Sequence, residues 1–133
     1  MLNITSQTVS LSSSQDEVFD FLCDLNNYNQ LLPEKNISDF SSSTDTCQFK
    51  IQNIYMIGLE KNGTNEQSEI RLKSSDNSPV KFDLLVNLSR PNGTTEVFLD
   101  CKADVSGMLK MMVENPLKNL FSHMADKLKE VKG

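Results

Sequence analysis

The chain of 133 residues predicts an α+β fold, in which one antiparallel sheet packs against a long C-terminal helix. Residues 36 to about 106 alternate between apolar and polar, as in strands with one dry and one wet face. Residues 107–131 instead carry apolar side chains every three or four positions, which is the spacing of one helix face. The length suffices for one hydrophobic core and no linker is evident, so residues 1–133 are expected to form a single domain.

The N-terminal part is predicted as a strand followed by two short helices. The segment ITSQTVSL alternates weakly, as a strand does. In SSSQDEVFDFLCDL the serines offer an N-cap, and the acidic residues that follow lie in the first turn, where the helix dipole favours anions. NNYNQLLP is a second short helical segment that Pro33 ends.

The central part predicts about six strands, which with the first strand give about seven. Alternation is strict in TCQFKIQN, QSEIRLKSS, VKFDLLVNLSR and TEVFLDCKADVS, and weaker in NISDF and YMIGLEK. Turns are predicted at Asn62-Gly63, at Asp76–Pro79 and at Asn92-Gly93. The apolar residues of the strict segments are expected to share the dry face, called here the inner face: Phe49, Ile51, Ile70, Leu72, Phe82, Leu84, Val86, Val97, Leu99 and Cys101.

The C-terminal helix contains Pro116 in its interior, where proline removes a backbone donor and clashes with the carbonyl of Met112. Either a new helix begins there, with Asn115 as N-cap and Pro116 in the first position, or one helix continues with a kink. In both cases GMLKMM is predicted to form a flap over one end of the sheet. Its methionines suit the mouth of an irregular apolar pocket, although methionines also fill cores.

The order of elements, together with CQFKI, SPVKFDLLVNL and MLKMMVENPLKNLF, resembles the helix-grip fold of the SRPBCC superfamily. This superfamily includes START domains, polyketide cyclases and the pollen-allergen family, and the chain looks like its small, uncharacterised bacterial members. The resemblance implies a curved antiparallel sheet wrapped around the last helix, with a pocket between them. One departure is SSSTDT, which has no glycine where the pollen-allergen family has a glycine-rich loop.

The resemblance and the apolar inner face predict a binding protein for an apolar small molecule, lipid- or polyketide-like, held between the sheet and the last helix. Two alternatives stay open: a cyclase- or dehydratase-type enzyme using the same pocket, and a ligand-free protein-interaction module. The predicted lining of the pocket is Phe49, Ile51, Ile70, Leu72, Phe82, Leu84, Val86, Val97, Leu99, Cys101, Met108, Met112, Val113, Pro116, Leu120 and Met124.

Residue chemistry favours binding over catalysis, and no catalytic residue, metal or cofactor is predicted. The sole histidine, His123, has no Ser, Cys or Asp placed by sequence to orient it. Asn53 and Ser68 are the other polar candidates near the inner face, and neither is a persuasive acid or base. The three cysteines have no metal-ligand spacing, and no glycine-rich phosphate loop occurs.

Charge and hydropathy restrict the classes of partner that the chain is expected to bind. A net charge of −5 without a basic stripe disfavours nucleic acid, and no apolar run reaches the roughly 20 residues of a membrane span. The first residues lack the pattern of a secretory signal, and scattered cysteines fit a reducing compartment, so a cytoplasmic location is expected. Outward-facing Leu85 and Phe98 on neighbouring strands leave a homodimer open.

Overall fold

The computed structural model describes residues 2–33, 35, 37–51, 55–76, 78, 80–91, 93–105 and 107–133. Within these ranges the chain forms eight strands, two α-helices and one 3-10 helix. In chain order they are β1 (Leu2–Thr5), β2 (Val9–Leu11), α1 (Gln15–Cys23), the 3-10 helix (Leu25–Gln30), β3 (Ile37–Ser42), β4 (Thr46–Ile51), β5 (Tyr55–Asn65), β6 (Glu69–Ser74), β7 (Phe82–Ser89), β8 (Thr95–Ala103) and α2 (Gly107–Lys132).

The strands form one curved antiparallel sheet, in the order β1-β8-β7-β6-β5-β4-β3, and β2 also pairs with β8. The predicted first strand is therefore present as two pieces, β1 and β2. Between them Ser6 keeps contact with β8: its backbone N–H donates to the Leu99 carbonyl (2.8 Å), and its hydroxyl accepts from the Leu99 N–H (2.9 Å). This break accounts for the difference between the seven predicted strands and the eight observed.

The predicted α+β architecture, with a long helix closing an antiparallel sheet, is confirmed. Ser14 caps α1 as expected, because its side chain accepts a hydrogen bond from the Glu17 N–H (3.2 Å). Helix α2 runs without interruption through Pro116, so the alternative of a second helix beginning at Asn115 is wrong.

The predicted turn at Asn62-Gly63 is also wrong, because both residues lie inside β5. The register between β5 and β6 shifts beside Gly63, whose φ of 114° is open to glycine but strained for other residues. The chain reverses instead at Glu66 and Gln67, whose φ values are 47° and 61°. The Asn62-Gly63 dipeptide therefore lies at an irregularity within β5 and does not form a turn. Asn77, Pro79 and Asn92, from the two other predicted turns, lie outside the described residues.

The second half of α2 is tied to the N-terminal segment. The Gln7 amide, in the gap between β1 and β2, donates to the Ser122 carbonyl (3.0 Å) and to Asp126 Oδ1 (2.8 Å). The Ser122 hydroxyl donates back to Gln7 Oε1 (3.0 Å). At the end of the helix, the Ser13 hydroxyl donates to the Lys132 carbonyl (2.7 Å). These bonds fix about the last three turns of α2 against one edge of the sheet.

The first turns of α2 have their apolar side chains in solvent. Met108 and Met111 are 77% and 79% exposed, Met112 is 51% exposed and Leu109 is 40% exposed. The first buried side chain of the helix is Val113. The residues predicted as a flap thus extend beyond the packed part of the helix. Neither described α-helix is both long enough and apolar enough to cross a membrane.

Candidate functional site

The space between the middle of the sheet and α2 is filled by side chains. The void found there has a volume of about 10 Å³, which is room for one water molecule at most. A ligand therefore has no place in the middle of the interior in this conformation. The side chains around the void are Leu22, Tyr28, Leu31, Val86, Val97, Leu99, Met124, Ala125 and Leu128.

A larger cavity, called here the end cavity, lies where the middle of α2 faces β3, β4 and the segment after the 3-10 helix. Its volume is about 160 Å³, close to that of an engineered apolar cavity that binds benzene. The residues of α2 reach it because positions three, four and seven apart share one helix face. The lining residues are Pro33, Ile37, Ile51, Pro116, Asn119, Leu120 and His123.

His123 is one of two polar side chains among the described lining residues of the end cavity. The Nε2 atom is buried and has no hydrogen-bond partner among the described residues. A buried nitrogen without a partner costs about 1–3 kcal/mol, so such atoms in folded proteins usually bond to water or to a ligand. The second polar side chain of the lining, Asn119, is exposed and lies one helical turn before His123. The described lining of the cavity therefore combines apolar side chains with the polar side chains of Asn119 and His123.

The structure places the predicted lining residues in four surroundings. Ile51, Pro116 and Leu120 meet at the end cavity, and Val86, Val97, Leu99 and Met124 border the small void. Met108 and Met112 are exposed at the start of α2. The remaining residues are buried in the core: Phe49, Ile70, Leu72, Phe82, Leu84, Cys101 and Val113.

The other polar candidates do not join this site. Ser68 lies in the turn between β5 and β6, where its hydroxyl donates to the Asn65 carbonyl (2.9 Å). Asn53 lies outside the described residues. The sequence interpretation missed Pro33, Ile37 and Asn119. The sequence could have indicated Asn119, because this residue lies three positions after Pro116 and four before His123, on the same helix face.

Cys47 and Cys101 are buried and Cys23 is half-buried, and none of the three thiols has reactive character. Burial raises the pKa of Cys47 to about 12, and burial with the nearby Asp100 and Asp83 raises that of Cys101 to about 12. Burial also raises the pKa of Cys23, an effect that Lys61 opposes. Within the described ranges, no group of His, Cys, Asp and Glu side chains could hold a metal ion. The thiols therefore stay protonated at neutral pH and act as apolar side chains.

A groove of about 520 Å³ follows β3, β4 and β5, and it differs in character from the end cavity. It is open to solvent, and hydroxyl side chains line much of it. Several hydroxyls already have partners: Ser42 donates to Asn26 Oδ1 (2.6 Å), and Ser43 and Thr46 bond to each other (2.8 Å). The end cavity is the better candidate for a ligand site, because it is the more enclosed of the two.

No family model matches the chain, and no curated protein is a significant match. Solved structures do match it. XoxI from Bacillus cereus is 13% identical with a TM-score of 0.76, covering 99% of this chain and 96% of that one. A START superfamily protein from Mycobacterium smegmatis is 13% identical with a TM-score of 0.68, covering 98% and 99%. The Aha1 dimer from Colwellia psychrerythraea is 14% identical with a TM-score of 0.64, covering 100% of both chains.

These identities are low, so the likeness shows the fold alone. The chain has a START-like helix-grip fold, and the resemblance expected from its sequence is confirmed at that level. The fold is one in which ligand binding is common. The function of this chain has to be argued from its own residues.

Proposed function

We propose that this chain binds a compact apolar molecule, about the size of one ring, in the end cavity. The observation that carries the proposal is a partly open volume of about 160 Å³, whose described lining combines five apolar side chains with the polar side chains of Asn119 and His123. Ligand sites typically combine an apolar wall with a few polar groups of this kind. A drug-sized, lipid- or polyketide-like ligand needs at least roughly 300 Å³, so such a ligand requires the cavity to widen.

The start of α2 is the element whose movement widens the cavity. Pro116 has no backbone N–H, so the bond that the Met112 carbonyl would accept inside the helix is not formed. The turns before Pro116 also have exposed apolar side chains in place of core contacts. Because Pro116 itself lines the end cavity, displacement of these turns changes the cavity directly. Larger ligands are therefore proposed to enter on this side.

A titration with benzene tests the proposal. The methyl resonances of Ile37, Ile51 and Leu120 are expected to shift on addition of benzene, since these side chains line the cavity. Asn119→Phe places a ring at the exposed rim and is expected to abolish the shifts. Lys118→Phe is the matched control, because Lys118 is an exposed neighbour on α2 outside the lining.

Two results would contradict the proposal: no benzene-dependent shift up to saturation, or shifts of the same size in the Asn119→Phe variant. Native mass spectrometry of protein purified without denaturation complements the titration. A bound mass that disappears after organic extraction would identify the ligand class. Its absence would restrict the proposal to weakly held ligands that are lost in purification.

The two alternatives have less support. A cyclase- or dehydratase-type enzyme requires an acid or base with an orienting partner. In the described part of the lining His123 is accompanied only by the Asn119 side chain amide as a second polar group. Among the described residues, an interaction module is favoured by the exposed methionines and Leu109 at the start of α2.

A further inference from the structure

We infer that Met108, Met111 and Met112 form a binding site for a soft monovalent cation, Cu(I) or its analogue Ag(I), on the solvent side of α2. The three residues are called here the methionine cluster. None of them is among the described lining residues of the end cavity. The inference therefore does not depend on the proposed function, and a test of one leaves the other standing.

The methionine cluster lies on the side of α2 that faces away from the sheet. Met111 and Met112 follow Met108 by three and four positions, so the three side chains share one helix face. Met108, Met111 and Met112 are 77%, 79% and 51% exposed, so this face is in solvent. The face that packs on the sheet carries Val113 and Leu117, which are buried. The cluster is thus a group of neighbouring thioethers that an ion can reach from solvent.

The type of side chain points to a soft metal ion. Five large apolar side chains are exposed in the described part of the chain, and three of them are these methionines. A thioether sulfur is a weak hydrogen-bond acceptor, so water satisfies it poorly, whereas it is a good ligand for Cu(I). Neighbours on one helix face have Cβ atoms about 5–6 Å apart, and each methionine has three rotatable bonds. The three sulfurs are therefore able to reach one ion.

The charges near the cluster are compatible with a cation. Glu114 lies three positions after Met111, so its carboxylate is a neighbour of the cluster on the helix surface. Lys110 belongs to the other side of α2, because it shares its face with Val113 and Leu117, three and seven positions later. The helix dipole disfavours a cation at this end of α2, and the carboxylate of Glu114 opposes that effect.

Thioethers differ from the commoner metal ligands in having no proton to lose. Histidine and cysteine bind metals in their deprotonated forms, so the affinity of such sites rises with pH. The affinity of the methionine cluster is instead expected to be independent of pH. Within the described ranges, no group of His, Cys, Asp and Glu side chains could hold a metal ion, so the cluster is a different kind of site.

Titration with Ag(I) in a nitrate buffer tests the inference. The reference protein is the full chain with Cys23→Ser, because the half-buried Cys23 thiol would compete for a soft ion, whereas Cys47 and Cys101 are buried. The ε-methyl resonances of the methionine cluster are expected to shift together with a single midpoint, and that of the buried Met124 to stay fixed. The affinity is expected to differ by less than about twofold between about pH 6 and pH 8.

A leucine substitution separates a thioether site from a merely apolar surface. Met111→Leu in the reference protein removes one sulfur but keeps an apolar side chain of high helix propensity. It is expected to weaken Ag(I) binding by about tenfold or more, because one ligand of the ion is lost. Leu109→Ala is the matched control, since it shortens an exposed apolar side chain of the same turn and removes no sulfur. It is expected to keep the affinity within about twofold of the reference.

Three results would overturn the inference. The first is the absence of any shift of the methionine resonances at Ag(I) saturation. The second is a different midpoint for each methionine, which would mean that ions bind the side chains singly. The third is equal affinity in Met111→Leu and the reference protein. An unchanged amide spectrum outside α2 would show that each variant is folded, so that a loss of binding reports on the cluster.

Discussion

Cys47 and Cys101 show how single residues follow from their strand register. Both lie at inward positions of alternating segments and are 3% and 0% exposed. Burial holds their thiols in the neutral form, with a pKa of about 12 for each. The alternation of β4 and β8 thus accounts for the burial of both thiols and for their chemistry.

These thiols predict a loss of stability at alkaline pH. Their folded pKa values of about 12 exceed the ordinary value of 9.0, so between these values the unfolded chain has released protons that the folded chain retains. Below pH 9 these two thiols are therefore expected to add no pH dependence to the free energy of unfolding. Above pH 9 each thiol is expected to lower it by about 1.4 kcal/mol per pH unit.

Urea unfolding of the wild type and of Cys101→Ala checks this expectation, compared at about pH 7, 9 and 10. The variant is expected to lose stability less steeply above pH 9, since one of the two thiols no longer titrates. Parallel pH dependence of the two proteins would contradict it. Burial also raises the pKa of Tyr28, which adds to the loss in both proteins at higher pH.

At the scale of elements, the two halves of α2 differ in burial. Its second half is held by Gln7 and Ser13 and buries Met124 and Leu128 against the sheet. Its first turns carry exposed methionines, and Pro116 lies between the two halves. The apolar stripe of the sequence extended over the whole helix, and its first residues were predicted to form a flap. In the structure the burial begins only at Val113.

Replacing Pro116 by alanine is expected to stabilise the protein. The substitution restores a backbone N–H for the Met112 carbonyl and removes a residue that is unfavourable by about 3 kcal/mol in a helix interior. Part of this gain is offset, because the half-buried ring also contacts the end cavity. We expect the free energy of unfolding to rise by about 1–2 kcal/mol.

Urea unfolding measures the effect, and Lys118→Ala is the control for helix propensity at an exposed position of the same helix. A decrease in stability for Pro116→Ala, with Lys118→Ala unchanged, would mean that the proline ring contributes more to packing than its missing donor costs. In that case the weakness assigned to the start of α2 would be refuted.

At the scale of the whole molecule, the sheet pairs the first two strands of the chain with the last strand. Strands β1 and β2 pair with β8, and the Thr5 hydroxyl donates to Asp100 Oδ1 (3.0 Å) across 95 residues of sequence. This places β8 and β7 in the interior of the sheet, whereas β3 lies at an edge. The inward side chains of β7 and β8 are buried, whereas the apolar side chains at the start of α2 are exposed.

Native-state hydrogen exchange is expected to be slow in the interior strands and faster at the start of α2. Amides of β7 such as those of Leu84 and Val86 are predicted to exchange most slowly, because they are flanked by strands on both sides and fully buried. Amides after the first turn of α2, up to Met112, are predicted to exchange faster than those from Leu120 to Leu128. Uniform protection along α2, measured by NMR, would contradict the division of the helix at Pro116.

The sequence by itself determined the elements and their faces. Alternation at period two placed Phe49, Leu84 and Cys101 on the inner face, and the spacing of apolar residues placed α2 within one residue of its observed end. These features depend on contacts between near neighbours, whose periodicity is written directly in the chain. The order of elements then sufficed for the fold class.

Tertiary packing decided the rest. An apolar inner face can enclose a cavity or fill it, and the outcome depends on how side chains from distant segments, such as Pro33, Ile51 and His123, meet around one volume. Asn62-Gly63 permits a positive φ in either a turn or a strand irregularity, and the pairing of β5 with β6 selected the second. Local patterns specify which face is apolar, whereas the space left between faces is a property of the assembled molecule.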